Sequence, residues 1–336
     1  MRPPTSHDVA ALAGVSQPTV SRALRDDPRV TLETRRRVRE AAEALSYIPS
    51  RRGRSLVMRA TGQVAIVVSD LGNPFFSEAI FHLHTALEDA DLRAVVYTDR
   101  PDNPVSPTRL LDGLVDAAIL TSTVLDSPLP RELSARGLPV VQLNRVAYGE
   151  AADACVSDQE MGAREVAEFL ADLGHTRIGA IFGPPETSTG RAREAGFRMG
   201  LEKRRIELPD ERVRFGPFTT STGEQYLKEL MSAERPPTAI FCANDVIAVG
   251  VLNAARALDI PVPQRLTVIG FDDIGLASWE VFRLTTVHQD LPGMCRSAVK
   301  LVRERIADPQ LPLRRIGLGV ELVKRESHGP PPEDAD

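Results

Sequence analysis

The sequence predicts a small all-α module followed by a much larger α/β body with parallel sheets. Three observations carry this. Residues 5–24 spell two short amphipathic segments around a glycine, residues 31–45 carry a third, and from Gln63 onward short β-branched runs alternate with helical stretches. Apolar strands separated by helices imply parallel sheets covered on both faces. At 336 residues the chain is long enough for one small domain and a large two-lobed one.

The first helix has Thr5 as its N-cap, with Asp8 three residues later to close a capping box. Val9, Ala10, Leu12 and Ala13 supply its apolar face. Gly14 permits a sharp turn, because only glycine takes a positive φ without steric cost. Ser16 caps a second helix whose first turn accepts Pro18, since the N–H groups there need no intrahelical partner. Val20, Ala23 and Leu24 face inward, which leaves Gln17, Pro18, Thr19, Ser21 and Arg22 outward. Thr31 caps a third helix with Leu32, Val38, Ala41, Ala42 and Leu45 as its stripe. Two short helices joined by a tight turn can lay the second in the major groove of DNA. An outward face bearing an amide and a guanidinium suits base edges. Charge agrees: residues 1–60 hold twelve Arg against six Asp or Glu, about +6, so the net −5 leaves about −11 on the remainder. A basic module on an acidic body suits phosphate contact at one end only.

In the body the strand candidates are 64–68, 94–97, 118–120, 140–143, 177–182, 239–242 and 268–271. Helices fill 75–89, 159–173, 191–204, 223–231, 245–258 and 294–306. Pro101, Pro104 and Pro107 predict only a short helix after the second strand. Ligands in parallel sheets bind beyond the carboxyl ends of the strands, so the residues just after each strand are the candidates. These are Asp70, Asn73 and Phe75, then Asn144 and Arg145, Arg193, Asn244, Asp272 and finally Gln289. Carboxylates, amides, guanidiniums and aromatic rings together are what a polyol needs: paired acceptors and donors for hydroxyls and a flat cover for the apolar sugar face. Trp279 either stacks on such a ring or packs its own loop. Each of these residues also has a plain structural reading, as a helix cap or a solvated loop.

Cys155, Cys242 and Cys295 lie far apart with no metal-ligand spacing and read as small core residues in a reduced cytoplasm. No signal peptide and no apolar run of membrane-spanning length is present, so a cytoplasmic, nucleoid-associated protein without a membrane partner is expected. No cofactor, metal or catalytic residue is expected, because the chain shows no nucleotide-binding glycine fingerprint, phosphate loop, nucleophile elbow or Cys/His cluster. The Pro-rich acidic segment 329–336 is expected to be disordered.

Asp-Val-Ala, Ala-Gly-Val-Ser, Thr-Val-Ser-Arg, Thr-Arg-Arg-Arg-Val and Tyr-Ile-Pro occur in this order over residues 8–49. In motif and spacing they resemble the lactose-repressor/galactose-repressor (LacI-GalR) family of bacterial transcription regulators, and the resemblance runs to about residue 327. It implies a helix-turn-helix domain at 1–49, a hinge helix and linker at 50–61, and an effector-binding and dimerisation domain at 62–328. That domain would be a two-lobed, periplasmic-binding-protein-like α/β fold. One lobe would hold about 62–158 and 290–318, the other about 159–289 and 319–328. The cleft between the lobes would hold a small effector on the candidates named above.

The resemblance further implies a homodimer, with a tetramer left open, on a pseudo-palindromic double-stranded DNA operator. Arg22 and Gln17 are the candidates for base edges. Thr5, Ser16, Thr19 and Ser21 are placed for phosphates, Tyr47 joins them, and Pro18 offers apolar contact or simply starts its helix. Leu56 matches a leucine that wedges into the minor groove, with Arg51 and Arg54 on phosphates. Gly53, where the family usually has alanine, departs from the pattern, as does Phe282-Arg283 in place of prolines near Trp279. The effector reads as a sugar, with a purine as the alternative. A sugar-binding protein or an enzyme would share the body but not the N-terminal module.

Overall fold

The computed structural model describes residues 4–47, 60–100 and 102–333. The chain divides into two units, residues 1–61 and 62–336. The first packs α1 (Ser6–Ala13), α2 (Gln17–Ala23) and α3 (Leu32–Ala44) around small side chains, among them Val9, Val20 and Val38. Thr5 and Asp8 make the capping box: the Thr5 hydroxyl accepts the Asp8 N–H, and the Asp8 carboxylate accepts the Thr5 N–H at 2.8 Å. Gly14 ends α1 at φ +64°, and the Arg37 guanidinium donates to the Ala13 carbonyl, satisfying a helix-end acceptor.

Two expected core residues are outside this core. Leu12 is 57% exposed and Leu32 80%. An eight-residue helix has one buried stripe, which Val9, Ala10 and Ala13 fill. Leu32 is the first residue of α3, whose buried positions begin only at Val38. Arg51, Gly53, Arg54 and Leu56, singled out from the sequence for the hinge, lie outside the described residues.

The second unit begins with β1 (Gln63–Val68), α4 (Pro74–Asp89), β2 (Arg93–Thr98), α5 (Pro107–Leu110), β3 (Ala117–Leu120), α6 (Leu129–Ala135), β4 (Val140–Leu143) and β5 (Asp153–Ser157). It continues with α7 (Gln159–Asp172), β6 (Ile178–Phe182), α8 (Ser188–Lys203), β7 (Val213–Phe215), α9 (Thr220–Met231), β8 (Ala239–Cys242), α10 (Asp245–Ala257), β9 (Thr267–Ile269) and β10 (Thr286–Gln289). The last elements are α11 (Leu291–Ala307), β11 (Arg315–Leu318) and β12 (Val320–Val323).

Six parallel strands in the order β11-β5-β4-β3-β1-β2 form the sheet of a first lobe. Four parallel strands, β7-β6-β8-β9, form that of a second. The antiparallel pair β10-β12 bridges to the second sheet through Ile269 with Thr285 and Asp272 with His288. The chain therefore passes between the lobes at Asp158, Asp290 and Gly319. Asp158 and Asp290 cap α7 and α11 at once, so each crossing is short and fixed.

Each sheet is buried on both faces, and strand alternation sorts the side chains. Val64, Ile66 and Val68 of β1 face α4 and α11, whereas Ala65 and Val67 face the layer holding Leu110 and Leu133. In the second lobe Phe182 and Phe241 pack with Phe197 of α8, while Ile181 and Ile240 pack under α9 and α10. The three cysteines are buried and free. Helix pairs in this lobe meet backbone to backbone through glycine: a Cβ on Gly196 would stand 2.0 Å from the Glu160 carbonyl oxygen, and one on Gly250 equally close to that of Thr220. The four-residue α5 matches the proline-crowded sequence.

The segment expected to be disordered begins at a fixed residue. Residues 329–333 are described, and the chain at Gly329 is tied down rather than loose. Its N–H donates to Thr267 Oγ1 at 3.0 Å, and its carbonyl accepts from His175 Nε2 at 2.9 Å. Just before it, the Ser327 hydroxyl donates to the Val268 carbonyl. Composition reads the proline and acid content but not the partners waiting beside β9.

Candidate functional site

The carboxyl ends of the strands in both lobes open on one cleft. Two residues there hold backbone conformations that side chains rarely adopt, Asn144 at φ +66° after β4 and Asp272 at φ +117° after β9. Such strain costs about 1–3 kcal/mol per residue and persists only where surroundings enforce it. At both positions it sets a polar side chain into the cleft.

On the second-lobe wall, Arg193 of α8 is fully engaged. Its Nη2 donates to Asp272 Oδ1 at 2.7 Å, Nε to Gln159 Oε1 at 2.8 Å and Nη1 to the Ala243 carbonyl. The guanidinium also stacks on the Phe271 ring, with Cζ 3.8 Å from its centroid. Gln289 Nε2 gives Asp272 Oδ1 a second donor at 2.8 Å, and Gln159 Nε2 donates to Gln289 Oε1 and to Asn144 Oδ1. The result is a closed network from Asn144 in the first lobe through Gln159 and Gln289, both beside crossings, to the Arg193–Asp272 pair. Burial pushes the Asp272 carboxyl up and the Arg193 guanidinium down, each opposed by the charge of the other. Beneath it Asp245 accepts from Thr286 and from the Ile274 N–H. Burial, reinforced by the neighbouring Asp272 charge, holds its carboxyl well above the usual range.

The first-lobe wall differs. The Arg145 guanidinium lies between the rings of Phe76 from α4 and Phe218 from the second lobe, 5.5 and 5.0 Å from their centroids. Its Nε is shielded from solvent with no hydrogen-bond partner, and the side chain makes no ion pair among the described residues. Burial and the like charge of Arg193 push it down to about 10.

Space adjoins this group. A cavity of about 570 Å³ lies between the lobes, bordered by Asn73, Phe76, Arg145, Phe218 and Thr187, with Asp70, Asp99, Arg100 and Glu186 also on its wall. A recess of about 10 Å³ behind it reaches Phe75, Asn144, Arg193, Asn244 and Asp272. Hydrogen bonds join the lobes on both sides. The Leu125 N–H donates to the Glu186 carbonyl at 2.8 Å, and that of Val146 to Ser188 Oγ at 3.0 Å. Arg191 meets the Tyr148 hydroxyl at 2.7 Å, and the Gly275 N–H donates to Glu78 at 2.9 Å.

Eight of the ten residues expected at an effector site line these two spaces, and a ninth, Gln289, is bonded to one of them. Asp70 borders the cavity while accepting the Gly72 N–H at 2.8 Å. Asn73 and Asn244 cap α4 and α10 with the Oδ1 atoms that accept from Phe75 and Ile247, so their caps and their place in the cleft coexist. Gln289 sits one layer behind, holding Asp272. Trp279 lies apart: it is 58% exposed on the loop after β9, borders neither space and is bonded to none of the other nine. Phe282 and Arg283 lie apart too, lining a separate cavity of about 280 Å³ with Leu252 and Arg256.

Phe76, Gln159 and Phe218 are cleft residues that sequence reading missed. Phe76 adjoins Phe75 and was available to it. Phe218 follows β7, a three-residue strand too short for an alternation signal.

In the N-terminal unit Pro18 and Arg22 are exposed on α2, and Ser21 is half-buried beside them. Ser16 Oγ caps α2 and lies 2.8 Å from Thr19 Oγ1, and Gln17 Nε2 donates to Ser6 Oγ at 3.3 Å. The Thr5 hydroxyl is committed to the Asp8 carboxylate at 2.7 Å. Tyr47 packs partly buried against the helical core.

Residues 5–50 match the model of the lacI family of bacterial regulatory proteins, and residues 167–328 that of the periplasmic binding protein-like domain. The chain is 31% identical over 328 residues to the ribose operon repressor of Escherichia coli strain K12, covering 96% of this chain and 99% of that protein. It is 33% identical over 337 residues to the HTH-type transcriptional regulator CelR of Thermobifida fusca, covering 97% and 98%. Among solved structures, the lac repressor dimer bound to operator and the anti-inducer ONPF aligns with a TM-score of 0.86 at 26% identity, over 97% of this chain and 99% of that one. A CelR–cellobiose complex aligns with a TM-score of 0.73 at 31% identity, over 96% and 99%. On this extent and identity, the chain belongs to the lacI family of bacterial regulatory proteins.

Proposed function

We propose that this chain is a ligand-responsive repressor of carbohydrate-use genes, binding a pseudo-palindromic operator as a homodimer and a sugar in the interlobe cleft. One observation carries the reading: a helix-turn-helix module with an exposed Arg22 shares a chain with a cleft lined from both lobes by aromatic rings and bonded polar groups. Rings cover the apolar face of a sugar, and amides, carboxylates and guanidiniums bond its hydroxyls. The names of the relatives support the same class, one a ribose operon repressor and another solved with cellobiose. The cleft binds without turnover, and the protein works in the cytoplasm on the DNA of the nucleoid. Among the described residues no helix is long and apolar enough to cross a membrane.

Repression and release follow from linkage. A sugar that binds one lobe arrangement better than the other shifts the population toward it, and with it the geometry offered to DNA. The test is selection of duplexes from a random library by the full chain, followed by fluorescence anisotropy with and without sugars. Expected are a two-fold symmetric consensus and an affinity that one sugar changes by roughly 5–150-fold. Arg22→Ala should relax the consensus at one base per half-site. Absence of any sequence preference would overturn the regulator reading, and a consensus indifferent to every sugar would overturn the effector reading.

A further inference from the structure

Resting on the sugar-cleft reading, we infer that Asp273, His288 and Arg325 are positioning residues for the effector: from outside the cleft they hold the strained turn that presents Asp272 to it. None of the three borders either cleft space. The turn after β9 puts two non-glycine residues in succession at positive φ, Asp272 at +117° and Asp273 at +56°. Strain of this kind persists only where partners outside the turn over-determine it.

The first partners come from one strand. Adjacent residues of β10 point to opposite faces, and they take the two carboxylates separately. Gln289 Nε2 donates to Asp272 Oδ1 at 2.8 Å, while His288 Nδ1 lies 3.0 Å from Asp273 Oδ2. The Asp272 N–H donates to the Val287 carbonyl at 2.9 Å, so the backbone of the turn is tied to the same strand.

Arg325, just past β12, completes the grip. Its Nη2 donates to Asp273 Oδ1 at 2.7 Å and so engages the second oxygen of that carboxylate. The arginine is itself fixed: its N–H donates to Thr285 Oγ1 at 2.9 Å and its Nη1 to the Leu284 carbonyl at 2.7 Å. Asp273 therefore cannot leave positive φ without breaking a contact to each of two segments. Held in this way, the turn brings the Asp272 carboxylate to Arg193 at 2.7 Å. β10 ends at Gln289, and the chain crosses between the lobes at Asp290. The strand that grips the turn is thus the one that leads into a crossing, and the presentation of Asp272 is tied to the lobe arrangement.

A role in stability alone would make every substitution that removes the Asp273 carboxylate equally harmful. A positioning role separates alanine from glycine. Both lose the carboxylate, but glycine takes φ +56° without steric cost, so the turn keeps its shape.

The test is native-state amide hydrogen exchange on the full chain, with calorimetric titration of ribose, cellobiose, glucose and galactose. Asp273→Ala should speed exchange of the Asp272 N–H roughly 10-fold and weaken binding of whichever of these sugars the wild type takes by a similar factor. The Ala243 N–H, which donates to the Ile181 carbonyl in the same sheet, should exchange as before. Asp273→Gly should recover most of both losses. His288→Ala, which leaves Arg325 in place, should give a smaller loss. Wild-type exchange of the Asp272 N–H in both Asp273→Ala and His288→Ala would overturn the inference, and so would a glycine variant as impaired as the alanine one. Silence from every sugar in the wild type would overturn the sugar reading alone, because the exchange arm decides the grip on the turn without a ligand.

Discussion

The two walls of the cleft each present an arginine, and the arginines are in opposite states. Arg193 is saturated by Asp272, Gln159 and the Ala243 carbonyl, and it stacks on Phe271. Arg145 is flanked by Phe76 and Phe218 and bonded to nothing among the described residues. The first is part of the scaffold, a buried pair whose removal leaves acceptors stranded. The second is held in reserve by packing alone. Two residues of one type, a few side chains apart, therefore divide the work between holding the cleft together and receiving what enters it.

The largest effect should come from breaking this division directly. Arg193→Ala strands Asp272, Gln159 and a carbonyl, so a loss of about 3–5 kcal/mol is expected, a fall in melting temperature on the order of 10 °C. Arg145→Ala should stay within about 1 kcal/mol of wild type. Equal losses in thermal melts of the two variants would break the comparison.

Next in size is a change that moves one wall and spares the other. Gly196→Ala forces a Cβ into the Glu160 carbonyl and parts α8 from α7. Overpacking of this kind costs about 1–3 kcal/mol. It should weaken interactions through Arg193, which rides on α8, more than those through Arg145. Titrating the wild-type effector into Gly196→Ala and comparing it with Gly196→Ala/Arg145→Gln would sharpen the point: the Arg145 contribution should persist.

The pH dependence tests the floor beneath Arg193. Asp245 is held above the usual carboxylate range by burial, so folding favours its protonated form. That contribution is fully present below the unfolded value of 3.8 and is lost as pH rises through the higher folded value. Asp245→Asn has no proton to lose. Its melting temperature relative to wild type should therefore climb as pH rises above the ordinary carboxylate range. A difference that stays flat would mean that Asp245 titrates normally.

The smallest effect should lie outside the cleft. Thr5→Ala removes the hydroxyl half of the α1 capping box, leaving the bond from the residue-5 N–H to Asp8, and should cost the N-terminal unit about 1 kcal/mol, seen as faster amide exchange in α1. Effector affinity should not change, and a change would mean that the arginines of the cleft respond to the first turn of α1.

Much of the cleft was legible in the chain because the rule it obeys is local. Parallel strands deliver ligand-facing residues just past their carboxyl ends, so Asn144, Arg145, Asn244 and Asp272 could be named from where the β-branched runs stop. The caps at Thr5, Ser16, Thr31 and Asn73 were readable for the same reason, since a cap needs partners only two or three residues away; the cap expected at Asp245 falls one residue earlier, on Asn244. Trp279 shows where the rule fails. It lies ten residues past the end of β9, and the loop 275–283 leaves it exposed to solvent. Gln159 and Phe218 fail in the other direction, as nothing beside them in sequence marks a ligand.

The sequence by itself determined the helix-turn-helix, the alternation of strands and helices, the identity of the acids and arginines and their places after each strand. These are set by backbone geometry and by interactions a few residues long. Only the tertiary structure decided which arginine is paired. The partners of Arg193 lie 34, 50 and 79 residues away along the chain, and Asp272 reaches it only because an unfavourable φ is enforced there. Pairing of charges in a cleft is settled by distances of a few ångströms between segments far apart in the chain, and the free energy of an unpaired cation depends on what else has been drawn into the same low-dielectric space.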